Sequence, residues 1–194
     1  MQVGRRFSME FKLKVDFNRD PNQGQMKPVE RRAMYQAIID AKPKKLLEIG
    51  TWKGGGSTYI ISCAAHEYGG TLHTIEIDPA LHESAKRLYR ERMNILKPHV
   101  RFHLGDAVEV IPALHDELTP LGFALLDGKE DRHQTVEEYN LIKDLFVSGS
   151  ILACHDWKIS KMAELRPIIE ADSAWKPLRV MLDTETGFAM FIHL

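Results

Sequence analysis

Six polar residues draw attention because each closes a short apolar run: Glu48 after KLL, Glu76 after TLHTI, Asp106 just past VRFHLG, Asp127 after FALL, and the pair His155-Asp156 after SILAC. An ionised carboxylate is an acceptor only and can take two donors at once, so each acid suits a diol, an amine or a cation. His155 adds an imidazole that ordinarily titrates near neutrality, fit for proton transfer or metal ligation. One acid at such a place is often just the N-cap of the following helix. Five successive strand ends closed this way are less well served by capping alone. Beside Glu48, Lys45 to Thr58 reads KLLEIGTWKGGGST. Gly50, Gly54, Gly55 and Gly56 carry no Cβ, so the backbone can turn tightly there and approach a ligand closely.

The glycines follow G-x-x-x-G-x-G rather than the dinucleotide pattern G-x-G-x-x-G. Glu48, just before the first glycine, would also face any pyrophosphate placed on the next helix N-terminus, where negative charge is normally welcome. The loop therefore suits a ligand with positive charge and no phosphates. S-adenosylmethionine, with its sulfonium and amine, has that character.

Strand-like and helix-like patterns alternate along the chain, which implies βαβ units and a mostly parallel sheet. The spacing predicts a helix over Val29 to Ala41 ended by Pro43, a strand over Lys45 to Ile49, and a helix over Ser57 to Glu67 closed by Gly69-Gly70. A strand over Thr71 to Glu76 follows, then a helix opened by Asp78-Pro79 and reaching Leu96. Further on come a strand over Val100 to Leu104, a helix over Ala107 to Leu118 interrupted at Pro112, and a strand over Phe123 to Leu126. The remainder reads as a helix over His133 to Phe146, a strand over Ser150 to Cys154 and a helix over Ile159 to Ala171. Two last strands, Leu178 to Leu182 and Phe188 to Ile192, are joined by DTETG, a turn of hairpin length with Gly187 free to take φ > 0. The acids thus fall at the carboxyl ends of strands, where open parallel sheets bind ligands. Without repeats, linkers or low-complexity stretches, residues 1–194 are expected to form a single domain.

Composition narrows the class. The chain has 194 residues, 44% apolar and 27% charged, with a net charge of −1. That balance gives no long-range attraction to nucleic acid or to an anionic membrane. Cys63 and Cys154, both inside apolar stretches, read as buried thiols of a reducing compartment. The N-terminus lacks an apolar run of signal-peptide length and no stretch reaches transmembrane length, so a cytoplasmic protein is expected.

These motifs in this order resemble class I S-adenosylmethionine-dependent methyltransferases, over most of the chain from about Gln23 onward. LLEIGTWKGGGST is similar to the first motif of that family, LHTIEIDP to the second and RFHLGDAVEVIPAL to the third. FALLDGKEDRHQTVEEYNLIKDLFVSGSILACHDW resembles the metal-dependent small-molecule O-methyltransferases, of the catechol type and of the bacterial sugar and antibiotic type. VMLDTETGFAMFI fits the reversed hairpin that closes such sheets. The fold implied is α/β, Rossmann-like and doubly wound, with a seven-stranded, mostly parallel sheet and a C-terminal antiparallel hairpin.

The resemblance also implies roles. Glu48 and Gly50, with the loop residues Thr51, Trp52, Gly54 and Ser57, would hold the methionine part of S-adenosylmethionine. Glu76, twenty residues beyond Gly56, would accept the ribose hydroxyls, with Asp78 as a competing ligand that reads better as a helix start. Asp106 and Ala107 would meet the adenine, and Asp127 would both contact the cofactor and take part in catalysis. Asp127, His155 and Asp156 would hold a divalent ion such as Mg²⁺ or Mn²⁺, a histidine ligand moving preference toward Mn²⁺, Fe²⁺ or Zn²⁺. The sequence departs from the catechol type here: His155 stands where that type has an acid, Asp156 where it has an amide, and Glu130 where it has a lysine. The general base is open among Lys129, Glu130, His133 and His155. Trp52 and Trp157 are candidate walls for an aromatic or sugar acceptor, whereas Trp175 is expected in the core. Residues 1–27, chiefly Phe11 to Lys27, are expected as a lid. The expected activity is methylation of a small-molecule hydroxyl with metal assistance, and a homodimer is left open. The alternatives are a non-catalytic module binding the cofactor or a partner and, more remotely, an NAD-linked oxidoreductase.

Overall fold

The computed structural model describes residues 13–19, 25–128 and 131–194. In chain order the elements are α1 (Pro28–Ala41), β1 (Lys45–Ile49), α2 (Ser57–Tyr68), β2 (Thr71–Glu76), α3 (Pro79–Arg92), β3 (Val100–Leu104), α4 (Ala107–Ala113), α5 (His115–Leu118), β4 (Leu121–Leu126), α6 (Arg132–Ile142), β5 (Phe146–His155), α7 (Leu165–Ala171), β6 (Trp175–Met181) and β7 (Phe188–His193). They build one seven-stranded sheet in the order β3-β2-β1-β4-β5-β7-β6. β1 to β5 pair in parallel, while β7 runs antiparallel to both β5 and β6. The expected sheet and its reversed hairpin are both present.

Period-two alternation sends neighbouring strand residues to opposite faces. Leu46 packs toward α1, α2 and α3 with Met34, Ile38, Ile60 and Tyr89. Leu47 packs toward α4 to α7 with Ile111, Leu118, Ile142 and Leu165. With both faces covered, the central strands are apolar throughout, as parallel sheets require. Strand order reverses between β1 and β4, and the crevice opens above that switch point.

Several boundaries differ from expectation. The long third helix stops at Arg92, and the helix over 107–118 divides at Leu114 into α4 and α5. α6 ends at Ile142, so β5 begins at Phe146 and runs ten residues through Gly149. The final helix is a 3₁₀ turn, Ser160–Met162, followed by α7. β6 starts at Trp175 because pairing with β7 carries it through Pro177, which an edge strand tolerates. Trp175 is buried, with its indole N–H donating to the Tyr139 hydroxyl at 2.9 Å. In the expected lid, residues 13–19 lie along α1 and α2: the Asp16 amide donates to the Tyr59 hydroxyl and Arg19 covers the Tyr59 ring. Residues 1–12 and 20–24 of that segment lie outside the described residues.

Candidate active site

Above the switch point lies a cleft of about 360 Å³ lined by the tips of β1, β2 and β4 and the starts of α3, α4 and α6. Its shape begins at Gly50, which leaves β1 with φ +99°. A Cβ there would overlap the Asp127 carbonyl, so glycine is needed for the close approach of two strands. The amides of Gly50 and Thr51 both donate to the Ile75 carbonyl and draw the chain over β2. Trp52 then takes φ 52°, uncommon without glycine, and its half-exposed indole borders the cleft. Gly54 has φ +74°, and a Cβ on it would lie 2.9 Å from the Ala85 Cβ of α3. The expectation that this glycine makes room for a ligand is corrected: it makes room for a helix.

Glu48 is fully buried beneath the loop. Thr74 donates to its Oε2 at 2.7 Å, and Thr74 in turn lies 2.5 Å from the Thr51 hydroxyl. Burial pushes the Glu48 carboxyl up to about 7, against the opposing pull of hydrogen bonds from Ser57, Thr74 and Thr58. Glu48, Thr51, Gly54 and Ser57 are buried in and beneath the loop, behind the residues that form the cleft wall. Gly50, Trp52, Glu76, Ala107 and Asp127 line the cleft.

Glu76 is placed for recognition. Its Oε2 accepts from the Trp52 amide at 2.7 Å and its Oε1 from the Asp78 amide at 2.9 Å. Two backbone donors fix the carboxylate and leave further lone pairs for a ligand. Asp78 caps α3, accepting from the Ala80 and Leu81 amides, as a helix start should. Asp106 caps α4 through the Val108 amide and accepts from the Gln134 amide nitrogen at 2.9 Å. Both bonds fall on Oδ1, and the wall at this point is made by Gly105 and Ala107 with Gln134 and Glu138 of α6. The sequence reading missed Gln134 and Glu138. Their i,i+4 spacing puts them on one helix face, but only the packing of α6 shows that this face meets the cleft.

At the tips of β4 and β5 the expected trio does converge: ligating atoms of Asp127, His155 and Asp156 lie within 4.8 Å of one another. Two unforeseen residues join them. Lys161, from the 3₁₀ turn after β5, places Nζ 2.8 Å from Asp156 Oδ2 and 3.2 Å from Asp127 Oδ1. Glu30, in the first turn of α1, places Oε2 3.6 Å from His155 Nε2. The other ring nitrogen, Nδ1, is 3.0 Å from Asp127 Oδ1 and 3.3 Å from Asp156 Oδ1. Burial alone would lower the His155 pKa, but the Asp127 charge and hydrogen bonds to Asp127, Asp156 and Glu30 raise it far above the imidazole range. Burial likewise opposes ionisation of Asp156 and Lys161, yet their charged partners hold Asp156 low and Lys161 high. His155 thus sits between acids on both sides, Glu30 at Nε2 and Asp127 with Asp156 at Nδ1. With the Lys161 ammonium already lying between Asp127 and Asp156, this donor set as folded does not fit a divalent ion. Asp156 has φ 60°, so the turn that gathers the cluster is held in a conformation Asp tolerates better than most residues.

Other candidates fall elsewhere. His133 is exposed and pairs with Glu164 at 2.9 Å on the surface, so it is not a cleft base. Trp157 is buried against Phe191 and walls no acceptor. Lys129 and Glu130 lie outside the described residues.

Residues 47–157 match a family model described as a methyltransferase domain. The chain belongs to that methyltransferase-domain family. The matched span of this methyltransferase domain takes in Glu48, Glu76, Asp127, His155 and Asp156 but stops short of Lys161 and begins after Glu30. Among solved structures, the O-methyltransferase of Bacillus cereus in complex with SAH (S-adenosylhomocysteine) is similar at TM-score 0.74, with 18% identity over 87% of this chain and 82% of its own. The O-methyltransferase TomG of Streptomyces achromogenes, involved in tomaymycin synthesis and solved with SAM (S-adenosylmethionine), gives 0.73 and 18% over 89% and 82%. SAH-bound PaMTH1 of Podospora anserina, a methyltransferase, gives 0.69 and 15% over 87% and 80%. At such identities these likenesses establish the class I methyltransferase fold. No curated protein matches the chain in sequence.

Proposed function

We propose that this chain is an S-adenosylmethionine-dependent O-methyltransferase acting on a hydroxyl of a small molecule. One observation carries this: a single cleft has Glu76, held by two backbone amides, and Asp127, the partly exposed acid of the charged cluster, both on its wall. The cleft falls within the usual volume of small-molecule sites. The similar Bacillus and Streptomyces enzymes, solved with SAH and SAM, support the same cofactor. When bound, S-adenosylmethionine supplies an electrophilic methyl group on a sulfonium. Glu76 would accept the ribose hydroxyls, and Ala107 and Gln134 would border the base. Asp127, through a carboxylate oxygen, would accept the proton of the acceptor hydroxyl. Membership of the methyltransferase-domain family sets aside the NAD-linked alternative.

In this proposal residues 1–194 form one domain with an N-terminal lid, located in the cytoplasm, with a small-molecule partner and without nucleic acid or membrane. Among the described residues no helix is long and apolar enough to cross a membrane, which is compatible with that location. A second reading, a non-catalytic module that binds the cofactor, draws on the neutralisation of the metal-type carboxylates by Lys161 and His155.

Calorimetry tests the cofactor site. Wild type should bind S-adenosylhomocysteine and not NADH, and Glu76→Ala should weaken binding by about 2–3 kcal/mol, the worth of lost charge-assisted hydrogen bonds. Unchanged affinity in the variant would remove Glu76 from recognition. Turnover with a panel of phenols, catechols and sugars separates the enzyme from the silent module.

A further inference from the structure

We propose that the Lys161 ammonium is a built-in cation standing where a divalent metal would sit, so that this chain works without one. The inference rests on the methyl-transfer reading for its catalytic consequence only. An ammonium has three donors and no acceptor, and all three are used: Asp156 Oδ2 at 2.8 Å, Asp127 Oδ1 at 3.2 Å and the Gly128 carbonyl at 3.3 Å. These oxygens come from both strand tips, the same carboxylates that a hard cation would take. Their distances from the centre are those of ammonium hydrogen bonds and well beyond the roughly 2.0–2.1 Å that Mg²⁺ demands. The Lys161 side chain is 2% exposed, and its neighbour Met162 is locked in the core.

The surroundings close the position further. His155 points both ring nitrogens at carboxylates, toward Glu30 on one side and Asp127 and Asp156 on the other. A divalent ion would have to expel the buried Lys161 ammonium from its three hydrogen bonds to enter. Lys158, the other lysine of this turn, is used elsewhere, donating to the carbonyls of Leu182 and Thr184. Lys161 does not reach the cleft. It is a positioning residue that holds Asp127, whose side chain is 21% exposed and borders the cleft, facing the acceptor.

Metal titration of the full chain is the test, with Mn²⁺ followed by electron paramagnetic resonance and activity measured after chelation. Wild type should bind no Mn²⁺ at micromolar concentration and keep its turnover in EDTA. Lys161→Ala, which uncovers two paired carboxylates, should bind Mn²⁺ about tenfold tighter or more, because a unit charge has left the site. Lys161→Arg, which keeps the charge, should stay blind to Mn²⁺. Stoichiometric micromolar Mn²⁺ binding by wild type, or loss of its turnover in EDTA, would overturn the proposal. If Lys161→Ala does not fold, Lys161→Met with the same titration takes its place, and the wild-type result decides by itself. A wild type that ignores Mn²⁺ but methylates no acceptor would count against methyl transfer while upholding the cation assignment.

Discussion

Acids line both halves of the crevice, but they are held in opposite ways. At the β2 tip, Glu76 is anchored by two backbone amides, keeps further lone pairs for a ligand and borders the cleft. At the tips of β4 and β5, Asp127 and Asp156 are buried or half-buried against Lys161 and His155, with Glu30 behind the ring. Spare hydrogen-bonding capacity suits a group that must bind something. Charge satisfied inside the protein suits a group that must hold a shape, leaving Asp127 as the one member with a foot in the cleft.

The contrast can be broken at its largest expected effect first. Asp127→Asn should lower kcat by about two to four orders of magnitude, the usual worth of a positioned proton acceptor, with a much smaller change in affinity for S-adenosylhomocysteine. Equal losses in rate and affinity would make Asp127 a binding group like Glu76 and erase the distinction between the halves. His155→Ala should cost about 3–5 kcal/mol of stability in urea unfolding, because it strands buried carboxylates without their partner. Glu76→Ala, which leaves the Trp52 and Asp78 amides without their acceptor but strands no charge, should cost less, about 1–3 kcal/mol. A similar cost for both would mean that the β2 tip is as structural as the other.

Glu48 sharpens the comparison through pH. Its folded-state pKa, about 7, lies above the ordinary 4.5, so between those values the folded chain binds more protons than the unfolded one. Stability should therefore fall as pH rises from 4.5 to 7, by on the order of 3 kcal/mol from this group, and Glu48→Gln should flatten that slope. Urea midpoints at pH 4.5, 6 and 8 measure it. A slope shared by wild type and variant would show that Glu48 is ionised in the folded state throughout and holds the loop as an anion.

Much of this was legible in the chain. Alternating periodicities, the acid-ended apolar runs and the DTETG turn were enough for the sheet, its reversed hairpin and the convergence of Asp127, His155 and Asp156. β6 was read late because as an edge strand it carries mostly exposed residues and a proline, so its apolar signal is faint. The glycine cluster was read as a ligand cradle because a missing Cβ reports that something comes close and not what; at Gly50 it is the Asp127 carbonyl and at Gly54 it is Ala85.

By itself, then, the order of residues determined the layers, the succession of strand tips and which acids stand on them, since these follow from local periodicity and the carboxyl-end rule of parallel sheets. Only the tertiary structure decided the charge state of the rim. Lys161 arrives from a turn after β5 and Glu30 from a helix more than a hundred residues earlier. No sequence spacing links them, because a buried ion pair is selected by packing in three dimensions and by the dryness of the place where the charges meet.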